Sequence, residues 1–129
     1  MHPDDVRVEL CVDTRDPALL VAFWSALLGY RTDDDPATDA WVHLDPPHPG
    51  LPVVDLQRVP EEKAGKNRLH LDLYVVDPEP WIARAQELGA TLGLLHDDEV
   101  DWFQVLADPE GNEFCICRER AGDDADPPG

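Results

Sequence analysis

An internal repeat limits the folds open to this chain, because the same helix-start and helix-end signals recur about 60 residues apart. Asp16-Pro17 precedes an apolar, helix-like stretch that ends at Leu28-Gly29. Asp77-Pro78 precedes a second such stretch, which ends at Leu88-Gly89. A chain of 129 residues is long enough for one ordinary domain and short for two, so we expect the two copies to share a single core.

The repeat extends to the strands that flank these helices. Residues 8–12 (VELCV) align with residues 69–73 (LHLDL), and residues 54–58 (VDLQR) align with residues 114–118 (FCICR). Trp41 and Trp102 align as well, each opening a strand that closes in a Pro/Gly turn. We therefore predict an α+β fold of two βαβββ modules that form a curled mixed sheet around a cavity.

The predicted domain boundaries follow from the same alignment. One domain covers residues 1–120, with module 1 at about 6–59 and module 2 at about 68–118. A polar linker occupies residues 60–68, and residues 121–129 are predicted to be a disordered acidic tail.

Composition excludes several classes of partner. The formal net charge of −18 repels the phosphate backbone, so we expect no binding to nucleic acid. No apolar run approaches the roughly 20 residues that span a bilayer, and no secretory signal is evident at the N-terminus. A cytoplasmic location is the expectation. The three cysteines, Cys11, Cys115 and Cys117, form no even framework and are expected to be reduced thiols.

Alternation along the strands separates an apolar face, which would pack on the helices, from a polar face. The polar face recurs in four strands, with aromatic residues nearby. A solvated sheet surface is one interpretation of this face, and a small-molecule pocket with aromatic walls is the other. The predicted ligand-binding residues are Glu9, Cys11, Trp41, Asp55, Gln57, His70, Asp72, Trp102, Glu113 and Cys115. We expect six of them to converge on one cavity, with His70 near its centre: Glu9, Asp55, Gln57, His70, Glu113 and Cys115.

Two segments resemble the vicinal oxygen chelate superfamily, which includes glyoxalase I, extradiol dioxygenases, fosfomycin-resistance enzymes and bleomycin-binding proteins. They are Leu69-His70-Leu71-Asp72-Leu73 before a helix, and the turn Asp108-Pro109-Glu110-Gly111-Asn112 before the last strand. The resemblance covers Val6 to Arg118, and the chain is similar to small bacterial glyoxalase-like proteins. It implies the glyoxalase-like fold and a homodimer.

The resemblance also implies ligand positions, because metal-dependent members place one ligand on the first strand and one on the last strand of each half. Those positions are Glu9 and His70 on the first strands and Asp55 and Cys115 on the last. Cys115 departs from the carboxylate usual there. The implied metal set is therefore Glu9, Asp55 and His70, which would suit one divalent ion such as Zn, Mn, Ni or Fe. Binding without a metal is the other expectation, since metal-free members are common.

Two classes of function stay open at this point. The first is a metal-dependent lyase, isomerase or dioxygenase that polarises vicinal oxygens, with Glu9 or Glu113 placed for proton transfer. The second is a metal-free protein that binds or sequesters a small organic molecule. A Cys115 nucleophile with His70 as its base is a weaker alternative. His43 and His48 lie near a proline-rich turn and are predicted to be surface residues.

Overall fold

The computed structural model describes residues 1–119 and contains two helices and seven strands within them, besides a short 3-10 turn at Pro3–Asp5. The elements are β1 (Leu10–Thr14), α1 (Pro17–Leu28), β2 (Trp41–Leu44), β3 (Val54–Arg58), β4 (Leu71–Val75), α2 (Pro78–Glu87), β5 (Thr91–Asp97), β6 (Trp102–Ala107) and β7 (Glu113–Arg118). The chain divides into two compact units, one up to Lys63 and one from Ala64 onward. The boundary falls inside the predicted linker, whereas the predicted acidic tail lies outside the described residues.

Each unit carries one helix and one mixed sheet, which confirms the α+β class and the repeated module. The first sheet has the order β1-β3-β2 and the second the order β4-β7-β6-β5. In both sheets the first strand pairs in parallel with the last, and the last pairs antiparallel with the strand before it. No helix among the described residues is long and apolar enough to cross a bilayer.

The helices begin and end where the Asp-Pro and Leu-Gly pairs of the sequence predicted, to within one residue. Asp16 caps α1 by accepting a hydrogen bond from the Leu19 N–H at 3.3 Å, and Pro17 occupies the first turn. Gly29 ends α1 in the left-handed region at φ 79°, which a residue with a Cβ adopts only at a cost. Pro78 opens α2 in the same way, and Leu88 caps its end.

The first half departs from the predicted pattern because it forms three strands instead of four. An isolated bridge between Arg31 and Asp45 stands where the missing strand was expected. The segment that follows this bridge bonds to its own side chains: the Asp35 N–H donates to Asp39, and the Ala37 N–H donates to Asp35. Such local bonds compete with the pairing of a strand.

Both first strands begin later than the sequence alternation predicted. Val8 and Leu69, which were expected on the apolar face, are 78% and 82% exposed and precede the strands. Pairing begins at Leu10 with Val54 and at Leu71 with Phe114.

The core of the first half confirms the assigned faces. The inward side chains of α1 are buried, and so are alternate residues of β2 and β3. They are Leu20, Phe23, Trp24 and Leu27 on the helix, and Val42, Leu44, Val54 and Leu56 on the strands. The opposite faces of these strands are therefore left for polar side chains.

Truncation of Leu20 tests this core. We expect Leu20→Ala to lower the free energy of unfolding by about 3 kcal/mol, because Leu20 is fully buried and its removal leaves a cavity. The control Leu19→Ala, on the exposed side of the same turn, should cost below about 1 kcal/mol. Urea denaturation measures both, and equal losses would contradict the assigned helix face.

Candidate functional site

The polar face of the first sheet forms two rows of side chains that cross its three strands. In one row Cys11, Asp55 and His43 lie side by side, because Cys11 pairs with Asp55 and His43 pairs with Asp55 from the other side. In the next row Asp13 pairs with Gln57, which pairs with Trp41. These rows face away from the buried residues of the same strands.

His43 is held between carboxylates on both of its ring nitrogens. Its Nδ1 lies 2.7 Å from Oδ1 of Asp55 and 3.9 Å from Oε1 of Glu9. Its Nε2 lies 3.1 Å from Oδ1 of Asp45. The backbone N–H of His43 donates to Oδ2 of Asp34 at 2.8 Å. The sheet thus gathers an imidazole and several carboxylates in one place.

This surrounding charge favours the protonated imidazole. The hydrogen bond to Asp55 is the main cause that raises the pKa of His43, and the charge of Asp45 adds to it, while burial acts in the opposite direction. The side chains of Glu9, Asp55 and His43 are 18%, 25% and 43% exposed, so the cluster is partly screened from water. Arg7 forms an ion pair with Glu9 through the other carboxylate oxygen, Oε2.

The second half places a different set at the corresponding positions. His70 precedes β4, and its Nε2 lies 3.2 Å from Oδ1 of Asp72. Asp72 pairs across the ladder with Cys115. One possible ligand atom from each of His70, Asp72 and Cys115 lies within 4.8 Å of the other two. Burial is the main cause that raises the pKa of Cys115 to about 11, and Asp72 contributes to the shift. Cys115 is therefore a neutral thiol near pH 7, which disfavours the nucleophile interpretation.

Glu113 serves the local structure of the second half. Its carboxylate accepts a hydrogen bond from Lys66 Nζ at 2.9 Å and another from the Asn67 N–H at 3.2 Å. The Glu113 N–H in turn donates to the side-chain oxygen of Asn67 at 3.3 Å. These contacts fasten the end of the linker to the start of β7, so the role in proton transfer suggested for Glu113 has no support here.

A third group, His96, Asp98 and Asp101, lies in the exposed hairpin between β5 and β6. Oδ1 of Asp98 accepts the N–H groups of Val100 and Asp101 at 2.8 and 2.7 Å, which closes the turn. The His96 ring stacks on Phe103 with centroids 4.7 Å apart and contacts the other Asp98 oxygen at 2.7 Å. The carboxylate of Asp98 is thus already occupied by the hairpin.

The structure brings together Glu9 and Asp55 of the predicted metal set, while His70 lies in the second unit with Asp72 and Cys115. His43 completes the first group and was missed, because its nearness to a proline-rich turn suggested simple surface exposure. The signal was available: His43 alternates with Val42 and Leu44 and shares a face with Trp41. His48 does lie exposed in the turn.

The predicted equivalence of Trp41 and Trp102 is wrong by one residue. Both open their strands, but Trp41 lies opposite Gln57, whereas Phe103 lies opposite the matching residue Cys117. Trp102 therefore points to the other face, where its ring lies 4.6 Å from the guanidinium carbon of Arg118. An extra residue in the second half shifts the strand and removes Trp102 from the polar face.

Comparison with known proteins identifies the class. The chain matches the glyoxalase-like domain family over residues 9–117, and it belongs to that family. No curated protein matches the chain in sequence. The turn Asp108-Pro109-Glu110-Gly111-Asn112, which carried part of the resemblance, is closed by its own first side chain. The buried carboxylate of Asp108 accepts hydrogen bonds from the N–H groups of Glu110 and Asn112 at 3.0 and 2.9 Å.

Solved structures share the fold at low identity. A glyoxalase/bleomycin resistance protein/dioxygenase family enzyme from Burkholderia phytofirmans PsJN is 21% identical, with a TM-score of 0.69 over 85% of this chain and 95% of that one. A lactoylglutathione lyase from Agrobacterium tumefaciens is 17% identical, with a TM-score of 0.62 over 91% and 96%. A bleomycin-binding protein complexed with bleomycin is 14% identical, with a TM-score of 0.63 over 89% and 99%. The match to the glyoxalase-like family, together with this shared fold, confirms the resemblance to the superfamily.

Thiol alkylation tests the environment of the cysteines. Burial raises the pKa of Cys115 to about 11 and that of Cys117 to about 12, so at pH 8 only about one Cys115 in a thousand is a thiolate. We expect iodoacetamide to modify the exposed Cys11 first, although its pKa is also raised, by burial and then by Asp13 and Asp55. Mass spectrometry of peptides gives the order, and alkylation of Cys115 as fast as Cys11 would contradict it.

Proposed function

We propose that this glyoxalase-like protein binds a small polar organic molecule on the polar faces of its sheets. The observation that carries the proposal is the pair of polar rows on the first sheet, where His43, Asp55 and Gln57 stand beside the exposed ring of Trp41. A few polar groups next to an aromatic surface are typical of small-ligand sites. The convergence of both polar faces on one cavity stays a prediction from the sequence.

The side chains of the first sheet suggest how such a ligand would be held. Trp41 is 55% exposed and offers a flat apolar surface for a ring or a carbon chain. Gln57, directly opposite it in the ladder, can donate and accept hydrogen bonds through its amide. The neighbouring carboxylates favour a ligand with hydroxyl, amine or other donor groups over an anionic one.

A divalent metal ion fits the chemistry of this face. The proposed set of Glu9 and Asp55 offers two carboxylates that are partly shielded from water, and His70 is the imidazole that the family pattern implies. When bound, a metal supplies Lewis-acid polarisation of two neighbouring oxygens of the ligand, as lyase or dioxygenase chemistry requires. Polar groups of the chain would then orient the ligand.

Binding without a metal is the second candidate, and a specific observation favours it. Both nitrogens of His43 are already satisfied by Asp55 and Asp45, so the network is complete as an ion-paired surface. Such a face could bind and sequester a compound by hydrogen bonds and stacking alone. The bleomycin-binding protein of similar fold supports this candidate only as an analogy.

A ligand screen by thermal denaturation tests the binding proposal. Protein purified without chelator would be screened against small organic compounds, with and without added manganese, nickel, iron or zinc. A ligand at 100 times its Kd should stabilise the protein by about 2.7 kcal/mol. We expect Trp41→Ala to weaken binding by about tenfold or more through loss of the stacking surface, which corresponds to about 1.4 kcal/mol.

The matched control is Trp102→Ala, since Trp102 also opens a strand but faces the other way, next to Arg118. It should retain the affinity of the parent protein. Equal losses for the two variants, or none for Trp41→Ala, would argue against a ligand on the polar face. A requirement for added metal would favour the metal-dependent candidate, and binding that is indifferent to metal would favour sequestration.

We also propose that the protein forms a homodimer in the cytoplasm, where its three free cysteines would stay reduced. The edge strand β5 supports the dimer, because all seven of its residues are exposed and Leu92, Leu94 and Leu95 are among them. An exposed apolar edge invites pairing with another chain.

Light scattering tests the dimer at micromolar concentration. For the parent protein we expect a dimer, with twice the chain mass of 14.4 kDa. For Leu94→Lys we expect the measured mass to fall toward that of one chain, because the substitution places a charge on the edge strand. Val6→Lys, at an exposed position outside the strands, is the control that should leave the mass unchanged. A monomer mass for the parent protein would remove the proposal.

A further inference from the structure

One row of side chains on the polar face of the second sheet is mostly aromatic. The strand register sets four residues side by side across β4, β7, β6 and β5, in the order Tyr74, Cys117, Phe103 and His96. Residues that pair directly across strands project from the same face of a sheet. Three rings therefore stand in one line, which a single thiol interrupts.

The β5 end of this row shows that rings at this spacing stack. The rings of His96 and Phe103 have centroids 4.7 Å apart and planes that differ by 10°. Neighbouring strands lie about 4.8 Å apart, which places one ring per strand within stacking distance. Because His96 covers one face of the Phe103 ring, the other face is turned toward Cys117 on β7.

Cys117 leaves a gap in the row that is the width of one ring. Tyr74 and Phe103 are attached two strands apart, which is roughly 9.6 Å. A flat ring midway between them would lie about 4.8 Å from each, within the range of about 4.5–7 Å at which aromatic rings pair. Tyr74 is 61% exposed and Phe103 is half-buried, so solvent reaches this row.

The floor and the surroundings of the gap select the charge of a ligand. Burial is the main cause that raises the pKa of Cys117 to about 12, so the floor is a neutral thiol. Asp72 and Asp101 also raise this pKa, so both carboxylates lie near the gap. The adjacent cation, Arg118, contacts Trp102 on the opposite face. A positively charged ring is therefore attracted, and the flanking aromatic faces add a cation–π contribution.

We propose that the gap over Cys117 binds a planar, positively charged heteroaromatic group between the rings of Tyr74 and Phe103. The group completes the row at the one strand that carries no ring, and the carboxylates of Asp72 and Asp101 balance its charge. This inference rests on the proposed binding of a small organic molecule, and it names the chemical class of that molecule and the half that holds it. It involves no metal and no covalent step.

Isothermal titration calorimetry with three probes of similar size tests the charge preference. N-methylquinolinium is a cation, methylnaphthalene is neutral and naphthoate is an anion. We expect the cation to bind about five- to tenfold more tightly than the neutral probe, and the anion to bind most weakly. Tighter binding of naphthoate than of N-methylquinolinium would contradict the proposal.

Substitutions in the row test the position of the probe. Tyr74→Leu keeps an apolar side chain but removes a ring, and it should weaken binding of N-methylquinolinium by about tenfold. Tyr74→Phe should retain the affinity, whereas Cys117→Leu should reduce it by filling the gap. The matched control is Val76→Ala, which changes an exposed residue outside the row and should stay within about twofold of the parent. Circular dichroism verifies that each variant is folded.

Nuclear Overhauser effects in the unsubstituted protein keep the test independent of any variant. Protons of bound N-methylquinolinium should show them to the rings of Tyr74 and Phe103 and should shift upfield between the two rings. Failure of the parent protein to bind this cation, or equal affinity in Tyr74→Leu, overturns the inference. If affinity is instead lost in Trp41→Ala and kept in Tyr74→Leu, the inference is wrong while the proposed function stands.

Discussion

The packing of each helix on one side of its sheet is the constraint from which the rest of the structure follows. In the first half, Leu20 and Phe23 of α1 are buried together with alternate residues of β2 and β3, such as Val42 and Leu56. Since successive strand residues point to opposite faces, burial of one set leaves the other set on the far side. His43 and Asp55 lie together for this reason, because each is the strand neighbour of core residues.

The two halves use one topology to build different chemical environments. In the first half, three carboxylates lie near His43, and two of them raise its pKa, with the hydrogen bond to Asp55 as the main cause and Asp45 as the second group. In the second half, the position that matches Asp55 carries Cys115, and burial raises the pKa of this thiol to about 11. Both halves therefore share the same backbone ladder, but the side chains at matching positions differ: the first face carries a carboxylate where the second carries a protonated thiol.

Small changes in strand register decide which side chains reach the polar face. One extra residue before β6 sends Trp102 to the helix side and puts Phe103 in the place that Trp41 holds in the first half. Similarly, the aspartates that follow the Arg31 bridge bond to neighbouring backbone groups, and a bridge replaces the strand expected there. An alignment of the two halves without gaps detects the shared elements, but it matches residues such as Trp41 and Trp102 that differ by one position in the folded strands.

The sequence by itself determined the repeat, the positions of both helices and the separation of apolar and polar strand faces, because these depend on local spacing and on short-range backbone chemistry. Its resemblance to known proteins indicated the superfamily. Its resemblance to the superfamily also implied that Glu9 and Asp55 lie together. Only the tertiary structure decided that His43 joins them, since this contact depends on the register of β2 against β3, which residues distant in the chain establish. The same holds for the pKa of Cys115, which burial by the folded sheet raises and no local pattern encodes.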